Sequence, residues 1–186
     1  MFTIRHEKPS DLGAREALLD LAYGPVRFDK PSERLRAGCQ PAAGLSFVAV
    51  EDGKIVGTVR LWEVSAGPAG PALLLGPLAV HPDCRRQGIG SALMRRALHE
   101  ASRRGHRAVL LVGDAAYYGR FGFSAERTGR LWLPGLAEPH RLLGCELAAG
   151  GLDGARGTIR APRKPARTPL VAAAVSLAGP FKPKAA

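Results

Sequence analysis

The sequence predicts an α/β domain in which a mixed sheet carries helices on its faces, and three observations predict it. Asp52-Gly53 joins two β-type runs, SFVAVE and KIVGTVRLWEV, and Asp-Gly in that setting is the strongest short hairpin signal available. The apolar runs at 73–80 and 108–112 bracket a helical pattern, which gives strand, helix, strand with the usual right-handed crossover. Further strand-like pieces follow, so hairpin and crossover share one sheet.

FTIRHE alternates like a short strand, and PSDLGAREALLDLAYG continues as a helix, with Ser10 or Asp11 as N-cap and Leu12, Leu18, Leu19 and Ala22 as its apolar positions. A weaker helical pattern spans Pro31 to Arg36. After the hairpin comes the run Leu73 to Val80, which contains Pro77; proline cannot donate to a ladder, so this strand is expected to bulge there. In the following helix Leu93, Ala97 and Ala101 recur at helical spacing, with Arg95, Arg96, Arg103 and Arg104 mostly opposite. AAYYGRFGF reads as one helical turn entering a tight glycine turn, capped by Asp114. FSAE and HRLLGCELA read as strands, and Gly157 to Arg160 as an added edge strand.

Length and charge narrow the class. A chain of 186 residues fits one domain, placed at 1–162, with a basic Pro/Ala-rich tail at 163–186 expected to be flexible. The net charge of +11 divides into +5 over residues 1–150 and +6 over 151–186, so much of the excess belongs to the tail and argues against nucleic acid as the main partner. No stretch has the apolar length of a membrane span and the N-terminus is too polar for a signal peptide, so a cytoplasmic protein is expected. Cys39, Cys84 and Cys145 are odd in number and scattered, which suggests reduced thiols; neither they nor the five histidines have metal-ligand spacing.

The informative stretch is VHPDCRRQGIGSALM, where a strand ends and a helix begins. A helix N-terminus offers unpaired N–H groups and a partial positive charge, and it attracts an anion wherever the backbone can be approached closely. Gly88 and Gly90 remove side chains that would block a diphosphate, Arg85 and Arg86 add charge, Ser91 offers a hydroxyl, and Gln87 and Ile89 complete the turn. A GxG pair alone also suits a tight turn for packing; the whole context is more specific. No GKS or GKT follows, and Leu93 stands where a dinucleotide fingerprint has its third glycine.

These residues resemble the GCN5-related N-acetyltransferases (GNAT superfamily). The family signature, a basic or Gln residue followed by xxGxG or xxGxA after the fourth strand, is matched by Arg85, Gly88 and Gly90; GPLAVHPDCRRQGIGSALM and GDAAYYGRFGF look like its small bacterial branch. The similarity covers roughly residues 2 to 160. It implies a mostly antiparallel sheet with splayed fourth and fifth strands, and acetyl-coenzyme A as co-substrate without a metal. It further implies transfer of the acetyl group to a primary amine, on a small molecule or a protein, by direct attack in a ternary complex. The diphosphate would lie on the glycine turn and the pantetheine arm along Leu78, Ala79 and Val80.

By the same resemblance the amide of Leu78 or Ala79 would donate to the thioester carbonyl, and Tyr118, four residues before Gly122, would be the acid for the departing thiolate. Tyr117 competes with it. The run Leu73 to Val80 has no carboxylate, which many relatives carry, so Glu63 on the preceding strand is the candidate base, acting through water. Two alternatives stay open: a non-catalytic acyl-coenzyme A-binding module, and an acetyltransferase whose substrate is associated with nucleic acid through the tail. A homodimer stays open as well.

Overall fold

The computed structural model describes residues 1–162; the proposed tail at 163–186 lies outside them. The chain runs β1 (Thr3–His6), α1 (Leu12–Tyr23), α2 (Pro31–Arg36), β2 (Ser46–Glu51), β3 (Lys54–Ser65), β4 (Pro71–Val80), α3 (Ile89–Arg103), β5 (Ala108–Val112), α4 (Ala115–Tyr118), β6 (Leu131–Trp132), β7 (Leu142–Glu146) and β8 (Gly157–Thr158). Six strands form one sheet in the order β1-β2-β3-β4-β5-β7, antiparallel except between β4 and β5. The expected hairpin is present: Asp52 and Gly53 both take positive φ, 49° and 75°, as a two-residue turn matching strand twist requires.

α3 covers one face of the sheet. Its Ile89, Leu93, Met94, Ala97 and Ala101 are buried with Phe47, Val59, Leu61 and Leu73. The fit is close at Gly57 of β3, where an added methyl would stand 2.8 Å from Ile89 and 2.9 Å from Leu93. Removing a side chain such as Leu93 from this layer would cost about 2 to 5 kcal/mol. On the other face, Leu18 and Leu19 of α1 pack on Ala79, and Trp62, Leu74, Leu110 and Leu142 form a second cluster with Leu133, Leu152 and Ile159.

Two features of β4 position the site. First, β5 pairs with it only at Leu73 and Leu74, and beyond Leu74 the two strands part. Second, its pairing with β3 jumps from Leu75 opposite Leu61 to Leu78 opposite Val59, so that Gly76 and Pro77 together oppose Arg60. This is the bulge expected at Pro77, and the Trp62 indole donates to the Gly76 carbonyl at 2.6 Å inside it.

Some expectations need correction. FSAE forms no strand, only an isolated bridge from Ser124 to Gly144. Gly157 and Thr158 pair in parallel with β6 in a separate two-stranded sheet, and only Arg160 touches the main sheet, at Ser65. Leu12 is 56% exposed, because the buried stripe of α1 follows Leu18 and Leu19. Asp11 precedes α1 but turns its carboxylate to the Lys8 amide, 2.7 Å, and to Arg5, where it gains charge-assisted partners. Among the described residues the cysteines are unpaired, no cluster of acidic, His or Cys side chains could hold a metal ion, and no helix is long and apolar enough to cross a membrane.

Candidate active site

The site is two clefts strung along β4. The first surrounds the start of α3 and is lined by Val80, Cys84, Arg85, Arg86, Gly88, Ile89, Gly90, Ser91, Tyr117 and Arg120. Gly88 is the N-cap of α3 in the left-handed conformation, φ 80°, with open space where a side chain would stand. Gly90 is closely approached instead: a methyl there would come 3.1 Å from the Tyr117 hydroxyl. Ala92 donates to the Gly88 carbonyl, but the amides of Gly88, Ile89, Gly90 and Ser91 find no backbone acceptor among the described residues, which leaves four unpaired donors at the positive end of the helix, all on residues that line this cleft.

Sequence reasoning missed Arg120. Its Nε donates to the Tyr117 carbonyl at 2.9 Å, and its guanidinium lies over the Tyr117 ring, 4.2 Å from the centroid, which holds a third arginine at the cleft beside Arg85 and Arg86. The i to i+3 spacing of Tyr117 and Arg120 on a helical turn was the available signal. Of the residues expected at the turn, Gln87 is exposed and does not line the cleft.

The second cleft opens where β4 and β5 part. Leu75, Gly76, Pro77 and Leu78 form one wall, Leu111, Val112 and Tyr118 another, and Tyr23, Lys30, Glu33 and Arg36 from α1, α2 and their connection the third. Tyr23 donates its hydroxyl to the Leu78 carbonyl. In an extended strand the N–H and C=O of one residue leave by the same edge, so the Leu78 amide faces the parted side as well. Ala79 turns its side chain the other way, onto Leu18 and Leu19.

Tyr118 is held by shape. Its ring lies against Gly113, where an added methyl would stand 2.2 Å from Cε2 and 2.6 Å from Cδ2, and Tyr117 and Phe123 meet it edge-on. Asp114 caps the short helix by accepting from the Ala116 amide at 3.0 Å. Burial, reinforced by Tyr23 and Tyr117, pushes the Tyr118 phenol well above its ordinary range, so it is protonated throughout the neutral region. The structure thus gives the adjacent tyrosines different places, Tyr117 at the glycine turn and Tyr118 at the parting of the strands. Glu63 is not brought to them: it is exposed, pairs with Leu73 on the fully paired part of β4, and lines neither cleft.

The model of the acetyltransferase (GNAT) family matches residues 15–123, more than half of the chain. The chain belongs to the GNAT family. The match ends at Phe123 and contains the glycine turn, the bulge of β4 and Tyr118. Among curated relatives, the "uncharacterized N-acetyltransferase YhbS" of Escherichia coli K12 is 31% identical over 160 residues, which are 84% of this GNAT chain and 93% of YhbS. The crystal structure of E. coli YhbS in complex with CoA superposes with a TM-score of 0.73 at 28% identity, covering 87% of this chain and 89% of that one. A GNAT acetyltransferase from Brucella melitensis, in complex with acetyl-CoA, gives 0.58 at 33% identity over 67% of this chain and 83% of its own.

Proposed function

We propose that this GNAT protein binds acetyl-CoA along β4 and transfers its acetyl group to a primary amine by direct attack in a ternary complex. The observation that carries the proposal is the succession of two clefts along one strand: Val80 lines one, Leu75 to Leu78 the other, and Tyr117 and Tyr118 stand one at each. An elongated substrate with a diphosphate at one end and a thioester at the other fits that order. The four amides at the start of α3, with Arg85, Arg86 and Arg120, take the diphosphate. The parted edge of β4 takes the pantetheine arm in place of a neighbouring strand.

The chain's own groups then meet the needs of the reaction. The Leu78 amide donates to the thioester oxygen as negative charge develops on it. Lys30 and Arg36 beside the cleft favour a neutral amine over an ammonium ion, so the nucleophile can enter unprotonated and lose its proton to water after attack. Tyr118 hydrogen-bonds the sulfur and passes its proton to the thiolate as the C–S bond breaks, then regains one from the water that took the amine's proton. In unperturbed terms that transfer is uphill by only about 2 kcal/mol. Glu63 has no part in this scheme.

Release of free thiol from acetyl-CoA, measured with purified protein across a panel of primary amines, tests the proposal. Acceptor-dependent release is expected; saturable acetyl-CoA binding with no release for any amine would leave a binding module instead.

A further inference from the structure

Arg36 is the most unusual group in the second cleft. It is only 8% exposed, yet its guanidinium has a single carboxylate partner, Glu33, reached through Nη1 at 3.0 Å. The buried Nε has no partner among the described residues. Nη2 lies against Gly76, 3.0 Å from where a methyl on that glycine would stand, and makes no hydrogen bond within the described residues. Nε and Nη2 are the two donors on one edge of the guanidinium plane, the edge that accepts two oxygens of a carboxylate or phosphate side by side.

The charges around that edge point the same way. Arg27 is engaged by Glu16 at 2.6 Å and Asp20 at 2.8 Å, and Glu33 is engaged by Arg36 itself. Lys30 has no carboxylate within 4.0 Å among the described residues; its ammonium stands 3.7 Å over the Tyr23 ring. Burial, with Arg36 and Arg141 nearby, lowers the Lys30 pKa against the opposing pull of Glu33. The cleft therefore has more cationic than carboxylate side chains in its lining, Arg27, Lys30 and Arg36 against Glu33, around a two-donor edge without a protein partner among the described residues.

We propose that the acceptor is a small amine carrying an anionic oxygen group, carboxylate or phosphate, seated on the Nε/Nη2 edge of Arg36 with Lys30 beside it. This rests on the acetyl-transfer reading for the role of the amine, though the anion seat stands on Arg36 and Lys30 alone. Gly76, against which Arg36 lies, is two residues from Leu78, at most about 7 Å along the strand. The amine and the anion of the acceptor are thus separated by a few bonds, as in a free amino acid or an aminoalkyl phosphate.

The test compares L-amino acids with their carboxamides, and phosphoethanolamine with ethanolamine, in two readouts: thermal stabilisation of the protein by the acceptor, and kcat/KM for thiol release. The anionic member of at least one pair is expected to stabilise the wild type and to exceed its neutral partner by about 10- to 100-fold, the range of a charge-assisted hydrogen bond. The carboxylate and phosphate arms tell the two sources apart. Arg36→Lys keeps a cation beside Glu33 but loses the two-donor edge, and Lys30→Met removes the second charge; each is expected to shrink that ratio of anionic to neutral partner. Neutral partners that stabilise and react as well as anionic ones would overturn the anion seat, as would an undiminished ratio in both variants. Anion-selective stabilisation without thiol release for any amine would instead sink acetyl transfer and leave the seat standing.

Discussion

Replacing Gly113 by Ala tests whether Tyr118 acts through its position. Gly113 takes no left-handed conformation, so the new residue meets no backbone strain, and the whole effect comes from the methyl group. That methyl would stand 2.2 Å from Cε2 and 2.6 Å from Cδ2 of Tyr118, where ordinary contact begins at 3.4 Å, so the ring must retreat by more than 1 Å. A displacement of about 1 Å at a reacting group costs on the order of 100-fold in rate. We therefore expect Gly113→Ala to lower kcat about 100-fold with little change in the Kd for acetyl-CoA, because the diphosphate cradle lies at the other cleft. Steady-state thiol release and calorimetric titration give the two numbers. In the double variant with Tyr118→Phe the effects should not add, since both remove the same hydroxyl from its place. A kcat within about twofold of wild type, or full additivity, would refute the assignment of Tyr118 as the acid.

Other outcomes follow from the same geometry. Tyr118→Phe alone should lower kcat by about 100-fold or more while leaving acetyl-CoA affinity intact, by the same paired measurements. Trp62→Phe removes the donor to the buried Gly76 carbonyl at 2.6 Å and should cost about 1 to 3 kcal/mol, seen as a fall of several degrees in the melting temperature. Asp11 is held down to about 2, chiefly by the hydrogen bond from Arg5 and then by the Lys8 amide, against an ordinary value of 3.8. A carboxyl whose folded pKa is lowered stabilises the fold above its unfolded pKa and loses that contribution as pH falls through the folded value. The difference in melting temperature between wild type and Asp11→Asn should therefore be full at pH 5 and should vanish on acidification toward pH 2.

What was legible in the sequence was what local chemistry decides. Asp52-Gly53 announces its hairpin because few other residues accept positive φ at both turn positions, and Pro77 announces a break in pairing because it lacks an N–H. The turn around Gly88 and Gly90 was readable for the same reason, and with it the helix that follows. FSAE misled because its residues suit a strand, yet only Ser124 finds a partner; pairing is decided by neighbours distant in sequence. Glu63 suits a base by its place on a strand, but nothing local reveals that the strands part beyond Leu74, so that a carboxylate opposite Leu73 lines neither cleft. Arg36, Lys30 and Tyr23 come together from a stretch without strong periodicity, and Gly113 matters only because the Tyr118 ring is folded onto it.

Calorimetric titration of acetyl-CoA into the wild type and Gly90→Glu is the most direct measurement of the diphosphate cradle. Glutamate at this position meets the Tyr117 hydroxyl with its first carbon and sets a carboxylate among the amides that would hold the phosphates. Saturable binding to the wild type and a loss of at least about 100-fold in the variant are expected from juxtaposed like charges. An unchanged Kd, or no binding to the wild type, would contradict the account.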